Sequence, residues 1–190
     1  ALLRYFLVLC SSLKKYILTG KTNIFLDIMR LLENNDCKEP LELLNSAKST
    51  QTAIEKKEFF FNGKKMQIIL YPDSSIKAIV PLSTTDNWTG DMYSWYNSGA
   101  FLGCAGLVNG HHEGLSYAYH ESGNIRAIAN FKNTKQIEFE YQFNEEGKLK
   151  GAISFIEGKE HGLSLLWDTD TGYLKSVDKY KHGGFHKKLK

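Results

Sequence analysis

The cysteines and histidines are the residues of this chain whose types could support catalysis. Cys104 precedes His111 and His112, and a thiol needs a neighbouring base before it can act as a nucleophile. However, Cys104 lies between Gly103 and Ala105, and no local signature indicates an activated thiol. A small packed side chain is the expected interpretation. We therefore predict no catalytic residue and no enzymatic activity.

A metal site is the second chemistry that the histidines suggest. His111, His112 and Glu113, together with His161, offer ligand types that zinc accepts. His112 and His161 nevertheless occupy near-equivalent positions two repeats apart, and four strand spacings correspond to about 19 Å. This distance is too large for one ion. We interpret these residues as turn residues and predict no metal and no other cofactor.

The end of the sequence is rich in lysine, and two interpretations of this segment stay open. Lysines on an edge strand discourage edge-to-edge aggregation. Several lysines together can also attract a protein to an anionic membrane, at about 1 kcal/mol each. Nucleic-acid binding normally adds arginine and exposed stacking aromatics, and this segment has no arginine, which argues against a nucleic-acid partner. The candidates for contact with an anionic surface are Lys181, Lys187, Lys188 and Lys190.

Composition and cysteine content bound the class of protein. The 190 residues are 42% hydrophobic and 24% charged, with a net charge of +3, as is typical of a folded, soluble protein. Cys10, Cys37 and Cys104 are widely spaced and form no CxxC pair, which argues against a disulfide framework or a structural zinc site. A reducing, cytoplasmic location is expected. The apolar run in residues 1–13 is interpreted as a buried helix, and a cleaved or lipidated start stays open.

Residues 1–56 have the periodicity of helices. Apolar residues recur at three- and four-residue steps before Thr19, and Thr22 can cap a second helix. Pro40 suits the first turn of a third helix. The side chains predicted to face inward from this third helix are Leu41, Leu44, Ala47 and Ile54.

From Phe59 the pattern alternates, and a repeat of about 24 residues becomes visible. One set of turns is marked by Gly99, Gly123, Gly147 and Gly172. A second set lies at Asn109-Gly110, Asn133-Thr134, Glu157-Gly158 and His182-Gly183. One aromatic column contains Trp95, Tyr119, Phe143 and Trp167, and it aligns with an apolar column of Phe101, Ile125, Leu149 and Leu174. Self-similarity at a fixed period indicates a repeat architecture.

Strand geometry gives this repeat its structural meaning. Each repeat predicts two strands joined by tight turns, and single hairpins are marginal alone, so they must pair edge to edge. Phe59 to Tyr71, turning at Asn62-Gly63, is the expected opening hairpin. The predicted fold class is α+β: an N-terminal helical segment (residues 1–56) followed by a single-layer antiparallel meander of four to five hairpins (residues 57–190).

The repeat resembles the MORN repeat family, particularly its bacterial variant. The matching segments are Tyr119-x-x-x-Gly123, Phe143-x-x-x-Gly147, Asn109-Gly110…Glu113-Gly114 and Glu157-Gly158-Lys159-Glu160-His161-Gly162. The resemblance covers residues from about 71 to 187. It implies a scaffold that binds other proteins or anionic phospholipid, and some bacterial members are regarded as antitoxin-like. Thr134 and Glu138 replace two expected glycines, which puts the turn geometry there in doubt.

The aromatic columns form either the apolar spine of the sheet or a recognition surface, since Tyr and Trp are favoured at interfaces. We expect partial exposure of Trp95 and Trp167 and place Trp88 in a turn-rich surface stretch. The partner-binding candidates are Trp88, Trp95, Tyr119 and Trp167. The predicted function is a non-catalytic scaffold for a protein partner, with an immunity or antitoxin-like role. The alternative is a peripheral tether to an anionic membrane through the basic tail and the N-terminal apolar helix, and the oligomeric state is left open.

Overall fold

The computed structural model describes residues 24–53, 57–85 and 87–190. In these ranges helix α1 spans Ile24–Glu33 and helix α2 spans Leu41–Ala53. The strands are β1 Glu58–Phe61, β2 Lys64–Leu70, β3 Ile76–Pro81, β4 Gly90–Trp95, β5 Phe101–Val108, β6 His111–Tyr119, β7 Ile125–Lys132, β8 Lys135–Phe143, β9 Leu149–Ile156, β10 Lys159–Trp167, β11 Leu174–Lys181 and β12 Gly184–Lys188.

The strands form one antiparallel sheet whose order follows the chain from β1 to β12. The predicted class, a helical segment followed by a meander of hairpins, is confirmed. The first predicted helix and the Thr22 cap lie outside the described residues. The twelve strands of the described residues make six hairpins, one more than the upper end of the expected four to five. No helix in the described ranges is long and apolar enough to cross a membrane.

The opening hairpin lies where the sequence predicts it. Strands β1 and β2 pair from Glu58 opposite Gln67 to Phe61 opposite Lys64. The turn between them has positive φ at both Asn62 (48°) and Gly63 (74°). Two-residue turns of this kind match the twist of the strands that they join, and Asn-Gly is their preferred sequence.

Contacts between residues divide the described chain into two compact units. The first, here called the Cys37 unit, comprises Cys37–Ile125 and Asn130–Lys135. The second, here called the Lys190 unit, comprises the described residues up to Asp36 together with Arg126–Ala129 and Gln136–Lys190. The predicted boundary between residues 56 and 57 stays a prediction.

Helix α2 packs on the sheet through a face that differs partly from the predicted one. Leu44 and Ala47 are buried as expected, and Leu43 joins them, whereas Leu41 is 59% exposed. Pro40 directly precedes the helix, and its carbonyl accepts a bond from the Leu44 amide at 2.9 Å. With 3.6 residues per turn, Leu41 lies roughly 100° away from the middle of the buried face. The inward prediction for Leu41 is therefore wrong, and that for Ile54 lies outside the described residues.

The core of the Cys37 unit is formed by helix α2 and one face of strands β1 to β4. The helix contributes the three buried side chains described above. The sheet contributes Phe59, Met66, Ile68, Ile76, Ile79 and Trp95. A smaller cluster consists of Ala78 and Val80 on β3 and Leu107 on β5, with Ile69 and Met92 packed against it. The alternation of buried residues along each strand thus separates two sets of apolar contacts.

The strand pairing repeats with the sequence period, including its irregularities. In the Cys37 unit, Leu70 pairs with Ile76 and Trp95 with Phe101, each directly after a one-residue register shift. In the Lys190 unit, the equivalent pairs are Phe143 with Leu149 and Trp167 with Leu174, again after a shift. Such shifts are β-bulges, which bend a strand and raise its twist. The columns read from the sequence therefore correspond to equivalent positions in the sheet.

Candidate interaction surface

The turns at Asn109, Asn133, Glu157 and His182 share one backbone conformation. The first residue of each has a φ between 48° and 54°, and the second has a φ between 67° and 86°. This left-handed conformation favours glycine and asparagine. Thr134 adopts it with a φ of 67°, and Glu138 has a φ of 60° where other repeats carry Gly90, Gly114 or Gly162. The doubt about this repeat is resolved: Thr134 in the turn and Glu138 in strand β8 both keep the positive φ without glycine.

Each of these turns is hydrogen-bonded to the repeat that precedes it. In the Cys37 unit, the amide of Gly110 donates to the carbonyl of Trp88 at 2.8 Å, and that of Thr134 donates to His112 at 2.9 Å. In the Lys190 unit, Gly158 donates to Gln136 and Gly183 donates to Glu160, both at 2.9 Å. The backbone of every turn is thus held by its neighbour, which makes the exposed turns a pre-ordered surface.

Two of the side chains that suggested a metal site, Glu113 and His161, contact the amides of these turns. Glu113 Oε2 accepts a bond from the Asn133 amide at 2.8 Å, and the equivalent residue Thr89 accepts one from Asn109 at 3.1 Å. His161 Nδ1 lies 3.5 Å from the amide of His182. Among the described residues, no three His, Cys, Asp or Glu side chains converge as a metal site would require. The equivalent spacing of Glu113 and His161 is therefore explained by their contacts with the turns.

Trp88 is the partner-binding candidate that the structure leaves accessible. Its ring is 37% exposed, and its Nε1 donates to Oε1 of Gln67 at 2.7 Å. Its backbone pairs with Leu82 and accepts the bond from Gly110. We call Trp88 and the Asn109-Gly110 turn that is bonded to it the Trp88 surface. Hydrogen bonds hold both the indole ring and the backbone of Trp88, so little conformational freedom remains to be lost on binding.

A short segment of the chain covers the aromatic column of the Cys37 unit. Trp95 is 1% exposed, and its Nε1 donates to Oε1 of Glu39 at 2.9 Å. The hydroxyl of Tyr119 donates to the carbonyl of Cys37 at 2.6 Å. We call Cys37–Glu39 the strap. The expected partial exposure of Trp95 is wrong. The strap and helix α2 cover the face of the sheet that the sequence analysis considered as a possible recognition surface.

A disulfide between Cys37 and Cys104 fixes the strap to strand β5. The sequence argument against disulfides and the interpretation of Cys104 as a packed thiol are both wrong. The cause lies in tertiary contact: 67 residues separate the two cysteines, and only the folded sheet brings them together. Because disulfides persist in oxidising compartments, the cysteine argument for a reducing cytosol loses its support.

The aromatic column in the Lys190 unit is buried. Phe143 and Trp167 are 4% and 2% exposed, and Tyr141 is 3% exposed. Burial, followed by the negative charges of Asp27 and Glu138, raises the pKa of Tyr141 well above its usual range. The expectation of a partly exposed Trp167 is wrong. These side chains form the apolar spine that the sequence offered as the alternative to a recognition surface.

The basic residues of strands β11 and β12 are exposed. Every residue of β12, including Lys187 and Lys188, is exposed, as is Lys181 before it. Lys179 and Lys187 lie directly opposite each other in the pairing of the two strands, and like charges in that position destabilise a sheet. Lys190 donates from its Nζ to the carbonyl of Leu174. Three of the four candidates for an anionic surface are therefore fully available.

Acidic turn residues have structural rather than catalytic surroundings. Asp168 Oδ1 accepts bonds from the amides of Asp170 and Thr171 and from the Thr171 hydroxyl, at 2.8–3.1 Å. The hydrogen bonds from Thr171 lower the pKa of Asp168, and bonds from Ser75 likewise lower the pKa of Asp73. Both carboxylates hold tight turns.

A scan against protein-family models finds no match, and a search of curated proteins finds no relative.

Proposed function

We propose that this chain is a non-catalytic scaffold that binds a protein partner through the Trp88 surface. The proposal includes the MORN-like character suggested by the repeat and the immunity or antitoxin-like role that this resemblance implies. No catalytic step forms part of it. The cytoplasmic location inferred from the sequence stays a prediction, and the Cys37–Cys104 bond weakens its basis.

The observation that carries this proposal is a partly exposed tryptophan held rigidly beside a row of ordered turns. Tryptophan is enriched among the residues that dominate binding energy at protein interfaces. Trp88 is bonded through its indole to Gln67 and through its carbonyl to Gly110. A rigid aromatic anchor flanked by polar turns is the arrangement that small protein interfaces use.

Affinity purification from the native cell followed by mass spectrometry identifies the candidate partner, and calorimetry with the purified pair then tests the surface. Trp88→Ala should weaken binding at least about tenfold, because anchor residues contribute about 2 kcal/mol or more. Phe60→Ala is the matched control, since Phe60 is an exposed aromatic residue on strand β1. Equal affinity of both variants and the unchanged chain would place the interface elsewhere.

Fluorescence provides an independent measurement of the same surface. Trp88 is exposed, whereas Trp95 and Trp167 are buried. An aqueous quencher should therefore act mainly on Trp88, and bound partner should protect that fraction of the emission. A Trp88→Phe variant identifies the signal. Unprotected Trp88 emission in a saturated complex would contradict the proposal.

A peripheral membrane tether is the second candidate function, and the exposed lysines of strand β12 support it. Lys179 opposite Lys187 produces a concentrated positive charge, which an anionic lipid surface would neutralise. The apolar helix that completes this proposal lies outside the described residues. Cosedimentation with vesicles containing phosphatidylserine should disappear in Lys187→Glu, Lys188→Glu and at high salt. Binding that survives these changes would exclude the electrostatic tether.

A further inference from the structure

The Cys37 unit contains an open groove between the start of helix α2 and strands β1 to β4. Its volume is about 610 Å³, which falls within the range of sites that hold small ligands or single side chains. The apolar part of its lining consists of Leu41, Leu43, Phe61, Met66, Pro81 and Tyr93. Leu41, which the helix leaves exposed, stands at this groove and gives it an apolar rim.

The charges along the groove are predominantly negative. Glu39, Glu42 and Asp91 line it, and Lys64 is its one cationic residue. The ion pair between Lys65 and Glu58 involves none of these four residues. Glu39 is engaged by the indole of Trp95, so Glu42 and Asp91 are left to face solvent. An occupant that suits this groove carries positive charge next to apolar surface.

The same chain carries a segment with that chemistry. Strand β12 is exposed throughout, at the last position of the sheet. It presents Phe185, which is 62% exposed, followed by Lys187 and Lys188. Lys179 lies opposite Lys187, and this repulsion would be relieved by an acidic surface. An edge strand with free backbone groups is also a common site of pairing between chains.

We propose that the acidic groove of one copy of this chain binds strand β12 of a second copy. Lys187 and Lys188 then approach Glu42 and Asp91, and Phe185 packs against the apolar lining. The two surfaces differ, so the contact is heterologous and joins copies head to tail. This proposal does not use the Trp88 surface, and it stands or falls separately from the proposed scaffold function.

The expected association is weak and electrostatic. A single groove and a five-residue strand bury little area, which indicates a Kd on the order of 10 μM or above. Raising the ionic strength from about 0.05 M to about 1 M shortens the Debye length to about 3 Å and should weaken it further. Sedimentation velocity from about 5 to about 500 μM protein brackets this affinity.

Two charge-reversal variants test the head-to-tail geometry. The groove variant carries Glu42→Lys and Asp91→Lys, and the strand variant carries Lys187→Glu and Lys188→Glu. Each alone should associate more weakly, with a Kd raised at least about tenfold by like-charge repulsion. Mixing the two should restore association, because the intact strand of the groove variant meets the intact groove of the strand variant, and the reversed strand and reversed groove also carry opposite charges. Glu121→Lys with Glu146→Lys, both in exposed turns, is the matched control and should associate like the unchanged chain.

The other outcomes overturn the proposal. A chain that stays monomeric over the whole concentration range has no such contact. Association that survives the groove variant but not the strand variant indicates a symmetric β12–β12 contact instead. Strand variants that lose vesicle binding while self-association is unchanged assign the lysines to a membrane. Circular dichroism of each variant verifies the fold. Because the groove and strand variants alter separate regions, the proposal can still be tested with one variant if the other misfolds.

Discussion

Reduction of the Cys37–Cys104 disulfide should lower the stability of the folded chain by about 4 kcal/mol. The bond closes a loop whose ends are 67 residues apart. The entropy that such a cross-link removes from the unfolded chain grows with the logarithm of loop length, and for this separation it corresponds to about 4 kcal/mol at 25 °C. With a urea slope of about 2 kcal/mol per molar, the unfolding midpoint should fall by about 2 M.

Urea unfolding followed by tryptophan emission measures this effect, because Trp95 lies against the strap that the bond fixes. The unchanged chain is compared with and without a thiol reductant. A Cys37→Ala, Cys104→Ala variant should unfold near the reduced midpoint and should not respond to reductant. Thiol titration of the oxidised, denatured chain should find one thiol among its three cysteines. Three titratable thiols, or a midpoint that reductant leaves unchanged, would refute the reasoning.

Three further predictions follow from the turns and the spine. Replacing Gly110 (φ 80°) with Thr should cost about 1–2 kcal/mol in urea unfolding, whereas Thr134→Gly should be neutral or stabilising by less than about 1 kcal/mol, since relief of left-handed strain is offset by the flexibility of glycine. The pKa of Asp168 is lowered in the folded state, so its turn is stabilised at pH values above the unfolded pKa of 3.8. The turn should loosen as the pH falls through the lower folded pKa. Amide exchange at the turn should show this pH dependence, and Asp168→Asn should abolish it. Phe143→Ala should cost about 3–5 kcal/mol because the ring is buried, whereas the exposed Phe60→Ala should stay within about 0.5 kcal/mol, by thermal or urea unfolding.

The meander was predictable because its signals are local and repeated. Glycine or asparagine recurs where the backbone has positive φ, as at Asn109 and Gly123. Apolar residues recur at equivalent positions of the repeats, so Phe143 and Trp167 align in the sequence and also in the sheet. A repeat sequence samples the same structural position several times, so each position can be predicted from several residues. One divergent residue such as Thr134 therefore does not hide the turn.

The strap and the groove were not predictable for the converse reason. Both depend on where a segment outside the repeat lies on the sheet, and no periodicity records that. Cys37 and Cys104 give no local sign of their pairing, and Trp95 has the same pattern whether it faces solvent or a covering helix. Leu41 fits an apolar helix face by spacing alone. Its exposure follows from the rotation of α2, which its tertiary contacts determine.

The bonds that tie each turn to the preceding repeat also bear on how such a chain can change its length. The donor and acceptor lie 22 residues apart at Gly110 and Trp88, and again at Gly158 and Gln136. Inserting a few residues within a hairpin would remove a donor from its acceptor, whereas duplicating a complete repeat would recreate every bond with a new neighbour. Natural relatives and designed versions should therefore differ by whole modules of about 24 residues, each copied as one block of gene sequence.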